Sequence, residues 1–302
     1  MDSFKAQYGL YKRTFEEYLI SVSSYKACRH ELIYEAASYS LLAGGKRIRP
    51  VIMLAFGELL DVPMEEVLPF AAALEMIHTY SLIHDDLPAM DNDNLRRGKP
   101  TNHVVYGEAT AILAGDTLLN WAFEHVLEVI VNYEPESIKN AVKALELLAE
   151  CAGKDGMIAG QIVDMLSQNK EISFEDLLYL HENKTGALLK AACMIPVILA
   201  GQGGEADDEV FDKVNDFAYN IGLMFQVKDD ILDVEGDTAV LGKKVGSDSE
   251  QGKTTFVSML GMKKCREYMD EYKRSALGLL NEMSGEITFL KSMVEYFYGR
   301  ES

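Results

Sequence analysis

The stretch EMIHTYSLIHDDLPAMD, residues 75–91, carries an apolar helix into the pair Asp85-Asp86, with Asp91 and Asp93 close behind. A second stretch, GLMFQVKDDILDVEGD at 222–237, does the same: an apolar helix runs into Asp229-Asp230, and Asp233 follows. The two pairs stand 144 residues apart, a hint of internal duplication and far too long for a solenoid period. In a helix, Asp229 and Asp233 share one face. Like charges at that spacing destabilise a bare helix by about 0.2–0.5 kcal/mol. The apolar run Ile221 to Val227 argues against a solvated face, so these carboxylates need a compensating cation. Pro88 removes a helical N–H donor, so the first helix kinks or ends there and swings Asp91 back beside Asp85.

Outward from these clusters the apolar spacing is helical nearly throughout. Phe4, Tyr8, Tyr11, Phe15, Tyr18 and Val22 step by three and four. A pattern over Leu32, Ala36, Tyr39 and Ala43 stops at Gly44-Gly45, and Pro50 sits in the first turn of the next helix. Further helices are expected over 64–90, 108–131, 135–152, 153–167, 207–234, 254–280 and 285–297. Another starts at the capping pair Ser173 and Asp176. No run of alternating strands bounded by hairpin turns is present. The expected architecture is all-α: one large helical bundle forming a single domain over residues 1–302.

Composition narrows the function. The chain has 302 residues and a net charge of −19, which excludes non-specific nucleic-acid binding and docking on anionic lipid. Cys28, Cys151, Cys193 and Cys265 lack any CxxC spacing, so they read as buried hydrophobes or inert thiols in a reducing compartment. The N-terminus has no apolar signal core. The most apolar stretch, 187–200, is interrupted by Lys190 and Pro196 and is too short to span a bilayer. A soluble, cytoplasmic protein is expected.

Ligand type separates the bundle chemistries. A di-iron bundle needs two Glu-x-x-His pairs, and only Glu75-Met76-Ile77-His78 is found in an apolar helix. His84-Asp85 resembles the core of an HD-type phosphohydrolase, but the second cluster supplies no histidine. Aspartates alone suit Mg²⁺, which binds substrate phosphates as well. The cations sit where a phosphate would need them: GGKRIRP at 44–50, Arg96-Arg97-Gly98-Lys99, Lys184-Thr185 inside an apolar run, and Lys243, Lys244 and Lys253. Loops 92–102 and 235–252 are poor in apolar residues. The second is expected to be mobile without ligand and to close over a diphosphate, bringing in Lys243 and Lys253.

These stretches, with LRRGKPT at 95–101, GEATAILAGD at 107–116, GMIAGQIVD at 156–164, HENKTGALL at 181–189 and LGKKVGSDSEQGKTT at 241–255, resemble the trans-isoprenyl diphosphate synthases. The pattern is nearest the bacterial farnesyl type. The resemblance spans nearly the whole chain apart from about the first thirty residues and the C-terminal helix. Class I terpene cyclases share the fold but have an Asn/Ser/Glu second motif and lack the GGKRxRP turn.

The resemblance implies an isoprenoid-synthase bundle with a deep central cavity, a homodimer, and three Mg²⁺ ions for which Mn²⁺ can substitute. It assigns metal binding to Asp85, Asp86 and Asp91 and to Asp229, Asp230 and Asp233. Gly45, Lys46, Arg49, His78 and Arg97 match the isopentenyl diphosphate site. Arg96, Lys184, Thr185, Gln226, Lys243 and Lys253 match the allylic diphosphate side, with Thr185 and Gln226 also stabilising an allylic cation. Tyr80 lies about 7.5 Å deeper along its helix than Asp85, at 1.5 Å per residue. With Ser81 it is the expected chain-length position, which points to farnesyl diphosphate as product. Geranylgeranyl or geranyl diphosphate synthase, and a non-catalytic subunit of a hetero-oligomeric synthase, are the alternatives.

Overall fold

Apolar spacing of three and four becomes helix nearly everywhere it occurs. The computed structural model describes residues 2–201, 208–235 and 253–300. Lys243, Lys244 and the loop expected to close after the second aspartate cluster lie outside the described residues, apart from Glu235.

The helices are α1 (Asp2–Val22), α2 (Glu31–Leu41), α3 (Ile48–Leu59), α4 (Met64–Asp85), α5 (Asn102–Tyr106), α6 (Glu108–Ile130), α7 (Pro135–Ala152), α8 (Met157–Ser167) and α9 (Phe174–His181). A π turn (Glu182–Gly186) joins α9 to α10 (Ala187–Leu199). Then come α11 (Asp208–Glu235), α12 (Phe256–Leu260), α13 (Met262–Asn281) and α14 (Thr288–Gly299). One departure from the sequence reading is a hairpin of β1 (Leu95–Arg96) and β2 (Lys99–Pro100). Strands of two residues are too short to show a period. The turn chemistry is nonetheless present, since Arg97 and Gly98 both take positive φ (53° and 74°), as a tight hairpin requires. The expected helix 254–280 is interrupted at Gly261 (φ 78°), which separates α12 from α13.

The chain divides within α7 into two units, one up to Leu145 and one from Glu146. In the first, α4 packs chiefly on α6 and α3. It is buried almost all round, at Val67, from Pro69 through Ile77 and on to Thr79, Tyr80 and Ile83. Gly57 of α3 lets Val67 come so near that a methyl group at Gly57 would meet Val67 Cγ2 at 2.8 Å. Arg47 opens α3 in the left-handed region (φ 55°), which costs a non-glycine residue about 1 kcal/mol. Its buried guanidinium donates to Glu75 Oε1 at 2.6 Å and to the Leu41 carbonyl at 2.8 Å. Glu75, 2% exposed, is therefore the nearer and buried counter-ion of Arg47, with the half-exposed Glu16 at 3.6 Å, and this accounts for the carboxylate of the lone Glu-x-x-His pattern.

In the second unit α11 packs on α13, α10 and α14. Every residue of α10 except Lys190 is buried. At about 1.5–3 kcal/mol for each large apolar side chain, this helix is a main source of the unit's core. The capping box forms as expected: Asp176 N–H donates to Ser173 Oγ, and Ser173 N–H donates to the Asp176 carboxylate. All four cysteines are free thiols, and Cys151, Cys193 and Cys265 are buried. No helix among the described residues is long and apolar enough to cross a membrane.

Removing one partner of a buried ion pair leaves an uncompensated charge, so Glu75→Gln should lower stability by about 3 kcal/mol in urea denaturation. The double change Arg47→Met with Glu75→Leu should recover most of that loss. A single variant as stable as wild type would show that Glu16, whose Oε1 lies 3.6 Å from Arg47 Nε, compensates the charge by itself.

Candidate active site

The first aspartate cluster forms where α4 stops. The Asp91 N–H donates to the Asp85 carbonyl at 2.9 Å, and the Met90 and Asn92 N–H groups both bond the Leu87 carbonyl. The chain therefore curls through Pro88 and returns to the helix end, the swing that proline implies. The two members of the pair differ in exposure. Asp86 is 3% exposed and accepts from Arg96, whose Nε donates to both oxygens at 2.8–2.9 Å and whose Nη2 donates at 2.6 Å. Burial nonetheless pushes the Asp86 pKa up. Asp85 and Asp91 are only half-buried.

The second cluster repeats the division. Asp230 is 2% exposed, and it accepts from Gln226 Nε2 at 3.0 Å and from the Phe256 N–H at 2.7 Å. Thr185 Oγ1 donates to Gln226 Oε1 at 3.1 Å, so Thr185, Gln226 and Asp230 form one hydrogen-bonded line. Asp233 is also buried, at 3%. Asp229 is open: its side chain is 41% exposed and accepts from Arg300 at 2.6 Å. Among the described residues no group of three or more His, Cys, Asp or Glu is preassembled around a metal position. The donors accessible to a cation are carboxylate oxygens, the chemistry of a hard divalent ion.

Four cations of the first unit gather about His78. Burial is the main cause of its pKa lying well below the usual imidazole range, followed by Arg49, Arg97, Arg96 and Arg47. The ring is therefore neutral. Arg97 donates to the Gly44 carbonyl. It lies so near Gly45 (φ 133°) that any side chain there would meet the guanidinium. Lys46 is exposed, its carbonyl fixed by Tyr8 Oη at 2.6 Å. The residues read as an anion site, Gly45, Arg49, His78 and Arg97, are thus brought together.

In the second unit the π turn presents Lys184 to Asp164 of α8. A Cβ at Gly160 would strike the backbone of Asn183 and Lys184, so only glycine lets α8 come this near. Lys253 is half-buried just before α12. A cavity of about 520 Å³ opens beside the turn, lined by Glu182, Asn183, Gly186 and Lys190 and by none of the residues to which the sequence reading gave a metal, substrate or chain-length role.

Tyr80 is 6% exposed, and burial together with Asp85 pushes its phenol up to about 12. Ser81 Oγ donates to the His78 carbonyl at 2.9 Å. Three participants were missed by sequence reasoning. Asp164 was signalled by its place in a half-apolar helix, and Glu75, noticed only as the carboxylate of a lone Glu-x-x-His pattern, by its place in an apolar one. Arg300 had no signal near the chain end.

Residues 30–294 match the profile of polyprenyl synthetases. The chain belongs to the polyprenyl synthetase family. A farnesyl diphosphate synthase of Micrococcus luteus is 44% identical over 268 residues, 89% of each chain. The large subunit 1 of a heterodimeric geranylgeranyl pyrophosphate synthase from Arabidopsis thaliana chloroplasts is 44% identical over 274 residues, 89% of this chain and 72% of that one. Among solved structures, an FPP/GFPP synthase from Zymomonas mobilis aligns with a TM-score of 0.86 at 30% identity, over 98% of this chain and 99% of the other. A geranyltransferase from Helicobacter pylori, complexed with magnesium and isoprenyl diphosphate, aligns with a TM-score of 0.81 at 34% identity, over 96% and 94%. This polyprenyl synthetase is accordingly a prenyltransferase with the all-helical isoprenoid-synthase fold, of a family that uses divalent metal ions.

The neutral histidines give its stability a pH dependence. His181, 7% exposed and stacked on Phe256, is held down to about 3, mainly by burial, and His78 is also held low. Unfolded, both protonate near 6.5, so below that pH the unfolded chain binds more protons. Stability should therefore fall as pH drops through 6.5 towards 3, by up to about 1.4 kcal/mol per unit for each ring. Urea unfolding at pH 7 and pH 5 measures this. His181→Gln should remove one proton's share of the slope, and an unchanged slope would mean that His181 is accessible to water.

Proposed function

We propose that the chain makes farnesyl diphosphate, condensing isopentenyl diphosphate head-to-tail with dimethylallyl and then geranyl diphosphate. The observation that carries this reading is that the chain holds two aspartate clusters, each with exposed carboxylates towards the end of an apolar helix, and a nest of arginines around a neutral histidine. The similar farnesyl diphosphate synthases support the product, and the similar geranylgeranyl synthase keeps chain length the point to be tested.

Asp85, Asp91 and Asp229 are the carboxylates whose accessibility suits Mg²⁺, while Asp86, Asp230 and Asp233, all buried, support them. When bound, Mg²⁺ neutralises a diphosphate and makes it a competent leaving group. Lys46, Arg49 and Arg97 bind the isopentenyl diphosphate, and His78, kept neutral, donates one hydrogen bond to it. Arg96, Lys184, Lys243 and Lys253 serve the allylic diphosphate. Arg96 and Lys184 are oriented in advance by Asp86 and Asp164. Pre-set charge of this kind costs no reorganisation as the C–O bond breaks. The Thr185 hydroxyl and the Gln226 carbonyl, fixed by their line to Asp230, turn their dipoles to the developing allylic cation. No side chain is assigned as general base, and the departing diphosphate takes the proton. Tyr80 floors the path of the growing tail.

We take the working protein to be a single catalytic domain acting as a homodimer. Ile158, Ile162, Met165 and Leu166 support the dimer, an apolar stripe left exposed on α8.

Purified protein with Mg²⁺ should release diphosphate and give mainly fifteen-carbon product by chromatography. A chain inactive alone would instead be a subunit of a hetero-oligomeric synthase. Asp85→Ala and Asp229→Ala should each lower turnover on the order of 10³-fold, as loss of a key electrostatic group does. Near-normal turnover of either at saturating Mg²⁺ would remove that carboxylate from the metal site. Tyr80→Ala should lengthen the main product to twenty carbons or more. An active Tyr80→Ala enzyme that still stops at fifteen carbons would show that the floor lies elsewhere.

A further inference from the structure

Gly115 lies in the interior of α6, buried and with ordinary helical φ. Glycine there weakens the helix relative to alanine, and no turn or left-handed backbone calls for it. What it provides is space. A methyl group at Gly115 would overlap the His84 ring at Nε2, Cδ2 and Cε1. The imidazole of α4 thus rests directly on the backbone of α6. It is pinned there by a 3.0 Å hydrogen bond between Nε2 and the Ile112 carbonyl, with Asp116 Oδ1 at 3.9 Å.

On its other side the same ring meets Tyr80, one helical turn earlier. The ring centroids are 5.7 Å apart and the planes stand at 79°, an edge-to-face contact. Tyr80 is buried and leans on a ring that has no room to retreat towards α6.

We propose that His84, seated on Gly115, is a positioning residue for chain length: it props the Tyr80 ring and so sets the depth at which the growing prenyl tail stops. This rests on the reading of Tyr80 as the floor. Without the prop, Tyr80 swings into the vacated space and the path deepens. With the seat filled by a methyl group, His84 is driven against Tyr80 and the path shortens.

Product distribution tests this, because it reads the floor even when a neighbour of Asp85 lowers turnover. Wild type, Tyr80→Ala, His84→Ala, His84→Phe, Gly115→Ala and the double variant Tyr80→Ala with His84→Ala are compared on dimethylallyl and isopentenyl diphosphates. His84→Ala should raise the ratio of twenty- to fifteen-carbon product at least tenfold. His84→Phe keeps a ring and should restore the wild-type ratio. Gly115→Ala should shift product towards ten carbons. The double variant should match Tyr80→Ala, since a prop has no effect once the floor is gone. If Tyr80→Ala lengthens the product while His84→Ala and Gly115→Ala keep the wild-type distribution, the prop is refuted and the floor stands. Further lengthening in the double variant would make His84 an obstacle in its own right and overturn the positioning role. If no variant changes length, the Tyr80 reading itself fails.

Discussion

The site depends on one electrostatic constraint: adjacent carboxylates must be kept apart in role as well as in charge. In each aspartate pair the second member is buried and saturated with donors, Asp86 by Arg96 and Asp230 by Gln226 and the Phe256 N–H. The first member stays accessible. A buried carboxylate without donors is costly, so these bonds offset the burial of Asp86 and Asp230. By burying one aspartate, the fold leaves its neighbour the more exposed of the two, Asp229 on the side where Arg300 also meets it. The same bonds reach outward. Asp86 aims an arginine, and Asp230 joins Gln226, Thr185 and the start of α12 into one line.

A chain of net charge −19 keeps its cations productive by guarding them. Arg47 would be one more surface charge in a basic turn. Buried against Glu75, it instead fixes the turn that carries Lys46 and Arg49. Burial, with the positive field of Arg49, Arg97, Arg96 and Arg47 added, holds His78 neutral, a donor rather than a fifth cation. Asp164 gives Lys184 the same restraint. In both places the pairing lowers the freedom of a long side chain before any substrate arrives.

Close approach of backbones is the second device, and glycine is its instrument. Gly160 admits the π turn, Gly45 admits Arg97, and Gly115 admits His84. Each gives up a side chain so that a functional group on another element can come nearer than any Cβ would allow. π turns recur at functional sites because the added residue re-aims the side chains around it, here Lys184 and Thr185.

Much of this was legible in the chain itself. Helical spacing, the stops at Gly44-Gly45 and Pro88, the Ser173 cap and the composition of both aspartate clusters depend on local periodicity and backbone sterics, which a sequence displays directly. The return of Asp91 to the end of α4 followed from proline alone. What the sequence could not display is which of two adjacent aspartates faces inward. Asp85 and Asp86 have the same side chain, and their difference lies in Arg96, ten residues away. Glu75 stood in a lone Glu-x-x-His pattern with no role assigned, and only the fold shows that Arg47, 28 residues distant, takes its charge. Arg300 meets Asp229 across 71 residues, with nothing local to announce it. Periodicity is a property of neighbours along the chain, whereas charge pairing and burial are properties of neighbours in space. The sequence by itself therefore determined the helices and the chemistry they carry, and only the tertiary structure decided which of those groups are held and which are left open.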